Sequence, residues 1–174
     1  MLFRSRIDHL LALRALQDER PAGTPGFRAF ICWPMQLTGT TLQRMADRHE
    51  LPDGISLPGE PPHWSPDEEF LRTVAIARLV LDNVDHIQAS WLTVGLETGL
   101  RALRAGADDM GSLMIEENVV SATGAHHLLN EMPGQAGHDD TGGLACLKAV
   151  RNMRAAIASA GFTPWLRDQL YQPR

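Results

Sequence analysis

An amide and a hydroxyl side chain alternate with apolar residues in the segment HIQASWL, residues 86–92. If this segment is a strand, its period of two places Gln88 and Ser90 on one face. Together the two side chains can donate hydrogen bonds to a bound ligand and accept them from it. They can equally belong to a buried polar network that orders the interior of the fold, so the residues alone leave both interpretations open.

A second polar group follows the apolar segment that ends at Ile115. If the backbone is still extended there, Glu116 and Asn118 share a face. Glu116 could then accept hydrogen bonds from ligand hydroxyls, and Asn118 could orient the ligand. Alternatively, Glu117 and Asn118 begin and cap a helix, whose dipole favours carboxylates in its first turn. We favour a ligand contact for Glu116 and a capping role for Glu117, and we leave Asn118 open.

Four further side chains are candidates for ligand contacts, and three of them have a structural alternative. Trp33, which together with Gln36 follows a short apolar segment, could stack on an aromatic ring or simply pack in the core. Ser112 could face a cavity or serve as a small packing residue. Arg167 could pair with a ligand carboxylate, or it could form a surface ion pair worth less than about 1 kcal/mol.

Histidine and aspartate patterns do not favour metal binding. The adjacent residues His126 and His127 would point about 100° apart on a helix, so they would not chelate one ion together. The segment His138–Asp140 lies in a glycine-rich stretch and is expected to be solvated. Neither place offers three or more ligands with a recognisable spacing. We therefore predict no metal site on these residues.

The composition is that of one globular domain. The chain has 174 residues, of which 44% are hydrophobic and 21% charged, so wholesale disorder is excluded. The net charge of −5 disfavours non-specific nucleic-acid binding, which needs clustered positive charge. The longest apolar run, Val74–Leu81, is interrupted by Arg78 and is far shorter than the roughly 20 residues of a membrane span.

The two cysteines, Cys32 and Cys146, are far apart in the sequence. Two isolated cysteines cannot make a disulfide framework, a zinc clip or a three-cysteine cluster site. They fit a reducing compartment, and no export segment precedes the first apolar residues, so we expect a cytoplasmic protein. Cys32 lies between apolar residues of a predicted strand, where a small core residue is expected rather than a nucleophile.

Helical and extended patterns alternate along the chain. Ser65-Pro66-Asp67-Glu68 has the residues of a capping box and begins a helix, and Gly106 is placed to end another. Strands separated by amphipathic helices imply right-handed β-α-β units and a parallel sheet. Three strands neither cover both faces of such a sheet nor protect its edges, so the residues predict an incomplete α/β domain. We predict helices at 6–19, 41–49, 65–81, 96–105, 117–129 and 144–159, strands at 27–33, 86–92 and 108–115, and a flexible loop at 130–143.

Several segments share a pattern with known enzymes: Ile87–Trp91, Gly106–Asp109, Gly111-Ser112, Glu116–Val120, Ala29–Trp33 (with Cys32 in place of the usual proline), Phe70–Arg78 and Ala160–Tyr171. On these segments, residues 86–124 above all, the chain resembles the C-terminal half of radical S-adenosylmethionine enzymes of the menaquinone and deazaflavin group. The pattern is most similar to the cyclic dehypoxanthinyl futalosine synthase family. The sister families, aminofutalosine synthase and FO synthase, share the layout, but they tend to differ at Ala89-Ser90 and at Asn118–Val120, where this chain follows the cyclase.

The resemblance implies an α/β fold that is a partial (β/α) barrel of the TIM type, with this chain supplying about strands six to eight. Ligands of such barrels bind at the carboxyl ends of the strands. The resemblance also implies a function: the enzyme would cyclise dehypoxanthine futalosine to cyclic dehypoxanthinyl futalosine in menaquinone biosynthesis. The substrate-binding residues would then come from the candidates above, namely Gln88, Ser90, Ser112, Glu116, Asn118, Trp33, Gln36 and Arg167.

S-adenosyl-L-methionine and a [4Fe–4S] cluster are the cofactors that the resemblance implies for the full-length enzyme. The family's Cys-x-x-x-Cys-x-x-Cys motif is missing from this chain, so we expect the chain alone to be inactive and assign no catalytic residue. Its expected partners are the small-molecule substrate and the missing N-terminal half of the barrel, without nucleic acid or membrane. Two alternatives remain: a sister activity, or a non-catalytic half-barrel that binds a partner or a small ligand.

The resemblance divides the chain into three parts. Residues 6–171 correspond to the C-terminal half of the barrel, and residues 125–150 are longer and more irregular than the family's link to its last helix. Residues 1–5 fit neither the family nor the helix that follows, so we expect a non-native leader on a truncated reading frame. Because one flank of the sheet lacks its cover, we expect the isolated chain to be poorly soluble or molten.

Overall fold

A computed structural model describes residues 6–35, 37, 39–52, 65–112 and 142–174, with the backbone alone at 142–146 and 148. Residues 1–5, the predicted helix at 117–129 and most of the predicted loop and insertion lie outside these residues. The elements are α1 (Arg6–Asp18), β1 (Ala29–Ile31), α2 (Thr41–Asp47), α3 (Pro66–Val80), β2 (His86–Gln88), α4 (Trp91–Val94), α5 (Leu96–Arg104) and α6 (Gly142–Ser159).

The helix α3 begins at the predicted capping box. The Ser65 backbone donates to Glu68 Oε2 across 3.0 Å, and the Glu68 backbone donates to Ser65 Oγ across 3.4 Å. Hydrogen bonds from Ser65 hold the pKa of the Glu68 carboxyl below its usual value. Pro66 occupies the first helical position, where its missing N–H costs no hydrogen bond. The start of this helix is therefore confirmed.

The two strands pair in parallel, as predicted. In their register Ala29 lies opposite His86, and Ile31 lies opposite Gln88. Asp109 forms an isolated parallel bridge to Gln88 and so extends the sheet on the other side of β2. The connection between β1 and β2 contains the helices α2 and α3, and a helical connection is expected of a β-α-β unit.

The core lies on one face of this sheet. Ile87, in the middle of β2, is completely buried beneath the helices, together with Val74 of α3 and Leu81 just after it. On the other face, the half-buried side chains of His86 and Gln88 project from β2. We call this second face the open face, because the helices that bury Ile87 lie on the opposite side.

A buried amide connects the loops that lead into the two strands. Gln17 of α1 is 7% exposed. Its Nε2 donates to the carbonyl oxygens of Phe27, across 2.9 Å, and Asn83, across 3.0 Å. Its Oε1 accepts from the Phe27 backbone N–H across 2.7 Å. One side chain thus satisfies backbone groups ahead of both β1 and β2, and its own buried amide is paired in return.

The strand predicted at 86–92 is wrong beyond Gln88. Ser90 has φ 49°, in the left-handed region, and the short helix α4 begins at Trp91. The turn buries Trp91 against α5, where a Cβ at Gly99 would lie 2.7 Å from the Trp91 Cβ. The close approach of the Trp91 Cβ and backbone to the bare backbone of Gly99 therefore overrides the alternating pattern that favours a longer strand.

The first predicted strand is shorter in the structure, and the last one is described only in part. The first covers Ala29–Ile31 rather than 27–33. Of the strand predicted at 108–115, the described residues show the single bridge at Asp109, and residues 113–115 lie outside them. The helix predicted at 144–159 is confirmed and begins at Gly142. No helix in the described part of the chain is both long and apolar enough to cross a membrane.

Candidate functional site

The carboxyl end of β2 brings Gln88 against the turn that follows Asp109. Gly111 has φ +86°, and a Cβ built on it would lie 2.8 Å from Gln88 Cδ. The Asp109 Oδ1 accepts from the Gly111 backbone N–H across 3.0 Å and holds this turn in place. The absence of a side chain at Gly111 therefore provides the space that the Gln88 amide occupies.

Ser90 lies just beyond this end of β2 and is 3% exposed. Its backbone carbonyl accepts from the Thr93 hydroxyl across 3.0 Å, but its buried Oγ has no hydrogen-bond partner among the residues that the structure describes. Because Ser90 is not part of the strand, the period-two argument that paired it with Gln88 is wrong. An unpartnered buried hydroxyl in a strained left-handed conformation is nevertheless a feature that clusters at functional sites.

The remaining candidates are placed differently. Ser112 is exposed and follows Gly111 directly. Trp33 is 65% exposed, so the structure does not place it in the core. Gln36, Glu116 and Asn118 lie outside the described residues.

Arg167 forms an ion pair on the open face. Its Nη2 donates to Asp109 Oδ2 across 2.5 Å, and the Asp109 carboxylate is only 10% exposed. Its guanidinium also lies over the ring of Tyr171, with Cζ 4.0 Å from the ring centroid. The hydrogen bond to Asp109 raises the pKa of the guanidinium further, so this group stays charged.

Sequence reasoning missed a second carboxylate next to this pair. The Asp108 Oδ1 accepts from the Ile87 backbone across 2.7 Å and from Arg78 Nη2 across 3.1 Å. The Asp108 Oδ2 lies 2.6 Å from His86 Nδ1. The two adjacent aspartates were visible in the sequence, but nothing local indicated that their partners lie on α3, β2 and the tail.

Cys32 packs against the core, as predicted. It is one of the partly buried residues in contact with the main hydrophobic cluster. Burial raises the pKa of its thiol to about 11, which strongly disfavours the thiolate that a nucleophile or metal ligand requires.

Most of this chain is similar in sequence to known proteins. The family model described as "CofH/MqnC C-terminal region" matches residues 24–151. The chain is 45% identical over 127 residues to a cyclic dehypoxanthine futalosine synthase of Streptomyces coelicolor, covering 73% of this chain and 27% of the relative. It is 39% identical over 128 residues to a protein of the same name from Halalkalibacterium halodurans, covering 74% and 29%.

Two other kinds of relative match as well. An aminodeoxyfutalosine synthase of Thermus thermophilus is 33% identical over 167 residues, covering 96% of this chain and 36% of the relative. A 5-amino-6-(D-ribitylamino)uracil–L-tyrosine 4-hydroxyphenyl transferase of Methanoculleus marisnigri is 38% identical over 120 residues, covering 69% and 28%. This chain therefore spans about a quarter to a third of the length of these relatives. No solved structure matches it significantly.

Proposed function

The chain belongs to the CofH/MqnC C-terminal region family, as its residues predicted. From this premise we propose that it is the C-terminal part of a radical S-adenosylmethionine enzyme of menaquinone biosynthesis. The enzyme cyclises dehypoxanthine futalosine to cyclic dehypoxanthinyl futalosine in the cytoplasm. Two relatives named as cyclic dehypoxanthine futalosine synthases, at 45% and 39% identity, support this choice among the related activities.

The proposed fold of the complete enzyme is a (β/α) barrel, in which β1, β2 and the segment at Asp109 are about strands six to eight. The parallel register of β1 and β2 and the bridge at Asp109 support this proposal. In such a barrel the open face is the interior, and substrates bind at the carboxyl ends of the strands. The missing N-terminal half would supply the other strands and cover the β1 edge.

The observation that carries the proposal is the meeting of Gln88 with Gly111 at the carboxyl end of β2. The amide of Gln88 would hydrogen-bond the substrate, together with the exposed Ser112 that follows Gly111. The hydroxyl of Ser90, which has no partner in the described part of the chain, would add a contact just beyond the strand. Each such contact orients the substrate and helps exclude water, which is what the protein contributes to chemistry of this kind.

The other substrate-binding residues remain predictions. Glu116, Asn118 and Gln36 lie outside the described residues, and they are proposed on the resemblance alone. Trp33 is proposed on its place after β1, where its exposed ring is available to stack on an aromatic group.

The implied [4Fe–4S] cluster does not fit the residues of this chain. Such a cluster is held by cysteine thiolates, and the sequence has two cysteines. One of these, Cys32, packs against the core with a raised pKa. Among the described residues, no group of three or more histidine, cysteine or acidic side chains could hold a metal ion. We propose that the cluster and S-adenosylmethionine are bound by the missing N-terminal half.

A complete reading frame from the same locus provides the first test. It should encode three cluster cysteines ahead of this chain, and an unrelated domain there would contradict the proposal. The complete enzyme should then convert dehypoxanthine futalosine. Conversion of 5-amino-6-(D-ribitylamino)uracil with tyrosine instead would identify the activity named in the M. marisnigri relative, and formation of aminodeoxyfutalosine would identify the activity named in the T. thermophilus relative.

A further inference from the structure

The open face of the sheet is covered by the end of the chain. We call residues 166–174 the carboxy-terminal turn. The ring of its Tyr171 stacks on His86, with 3.9 Å between the ring centroids and 7° between the planes. The Tyr171 hydroxyl donates to Asp109 Oδ2 across 3.3 Å, beside the ion pair of Arg167 with the same oxygen. The side chains of Arg167 and Tyr171 therefore both contact residues that belong to the open face.

The carboxy-terminal turn holds its own shape. The Asp168 Oδ1 accepts from the backbones of Leu170, across 2.8 Å, and Gln172, across 3.0 Å. The Arg174 backbone donates to the Leu166 carbonyl across 2.9 Å. These bonds keep Tyr171 at φ 62°, a conformation that a tyrosine adopts only when its surroundings impose it. The turn thus presents Arg167 and Tyr171 together as one preformed unit.

In this arrangement the positive charge of Arg167 is already paired with the Asp109 carboxylate. The Asp109 carboxylate is 10% exposed, so the guanidinium compensates a charge that is largely removed from water. If Arg167 turned to a substrate carboxylate, it would leave Asp109 buried without that partner. The same Asp109 holds the Gly111 backbone N–H, and the Gly111 turn makes room for Gln88.

We infer that Arg167 is a positioning residue, which pairs with Asp109 to seat the carboxy-terminal turn on the open face beside Gln88. The inference rests on the proposed function only in identifying Gln88 as a substrate contact. It replaces the alternative in which Arg167 binds the substrate itself. The seated turn then forms a fixed wall of the site, and it holds the backbone from Asp109 to Gly111 in place.

A titration of the only tyrosine in the chain tests this inference without any substrate. Burial and the Asp109 charge raise the pKa of Tyr171, whereas the Arg167 charge lowers it. If Arg167 seats the turn, Arg167→Gln frees Tyr171 from its burial and from Asp109, and its pKa falls to the ordinary value near 10. If the turn stays seated without Arg167, the loss of a nearby cation raises the pKa above the wild-type value, which would overturn the inference.

Absorbance at 295 nm follows the phenolate directly, and far-UV circular dichroism in the same samples shows that the helices persist. The control is Arg154→Gln, an exposed arginine on α6, which should leave the titration unchanged. Because Arg167→Gln could fail to fold, Asp109→Asn provides a second test. Acylation of Tyr171 by N-acetylimidazole should then become at least tenfold faster than in the wild type. An unchanged acylation rate would contradict the inference. Neither the titration nor the acylation depends on the enzyme's substrate, so both can fail or succeed independently of the proposed function.

Discussion

Arg78 Nε donates to the carbonyl oxygen of Gly106 across 2.7 Å. The helix before β2 thereby holds the turn that follows α5. Gly106 has φ +116°, and a Cβ at this position would lie 2.8 Å from the Cβ of Arg78. The turn therefore requires glycine for two reasons, a backbone conformation that other residues rarely adopt and the close approach of a neighbouring side chain.

Replacing this glycine should be costly. Gly106→Ala combines backbone strain of about 1–2 kcal/mol with displacement of Arg78, so urea denaturation should show a loss of roughly 2–3 kcal/mol. Gly161→Ala is the matched control, because Gly161 has φ +92° and no atom of the other described residues lies within 4 Å of the position that its Cβ would take. Equal losses for the two variants would mean that the contact with Arg78 contributes nothing.

Cys32 should react slowly with thiol reagents. Its pKa of about 11, against 9.0 for an ordinary thiol, lowers the thiolate fraction at pH 8 by roughly 100-fold. In a Cys146→Ser background, the reaction with 5,5′-dithiobis(2-nitrobenzoate) should be slower than that of glutathione by at least this factor. Unfolding in urea should restore the ordinary rate, and a fast reaction of the folded chain would contradict the burial of this thiol.

Tyr171 should make the fold sensitive to alkali. Its pKa is raised in the folded chain, chiefly by burial, so the unfolded chain loses the phenolic proton first as the pH increases. The resulting stability is complete below the unfolded pKa near 10 and is lost as the pH rises through the folded value. Urea midpoints should therefore fall more steeply above pH 10 in the wild type than in Tyr171→Phe. Parallel curves would show that this residue is not the cause.

Replacing Gln88 should weaken substrate binding without lowering the free energy of unfolding. In the complete enzyme, Gln88→Ala removes one proposed hydrogen bond to the substrate, which corresponds to a rise in KM of up to about tenfold. Gly111→Ala should act in the same direction, because its Cβ takes the space of the Gln88 side chain. Steady-state kinetics on dehypoxanthine futalosine measures both effects. An unchanged KM in both variants would remove Gln88 from the proposed site.

The apolar surface after β1 should be detectable in the isolated chain. Trp33 and Met35 are both largely exposed, and clustered apolar groups in water bind hydrophobic dyes and promote association. The chain should therefore bind anilinonaphthalene sulfonate and elute from size exclusion in a broader peak than a compact monomer. The double change Trp33→Ser and Met35→Ser should reduce dye binding. The control is Leu79→Ser, at an exposed position on α3. It shows how much dye binding falls when any exposed apolar side chain is made polar.

Local signals predicted the elements best. The capping box at Ser65 needs only residues within one turn, and the helix that it begins follows the prediction closely. The parallel pairing of β1 and β2 followed from the alternation of strands and helices. The alternation of the residues around Ser90 predicts a strand, although the turn at this residue depends on Gly99, farther along the chain, which leaves room for the Trp91 Cβ.

Contacts between distant segments could not be predicted in the same way. The partner of Arg167 is 58 residues away, and that of His86 in the ring stack is Tyr171. A tail arginine is usually solvated, and only the folded chain shows that this one meets a buried carboxylate. The family resemblance marked the segments that contain these residues, but it did not indicate which of them touch.

The amide of Gln17 has a consequence for how loops in this fold can change. It binds backbone groups of Phe27 and Asn83, which lie shortly before the strands. Insertions or deletions between α1 and Phe27 would therefore change only the loop that precedes these hydrogen bonds. The register between β1 and β2 would be preserved. The loop after α1 can therefore vary in length while the pairing of the strands stays constant.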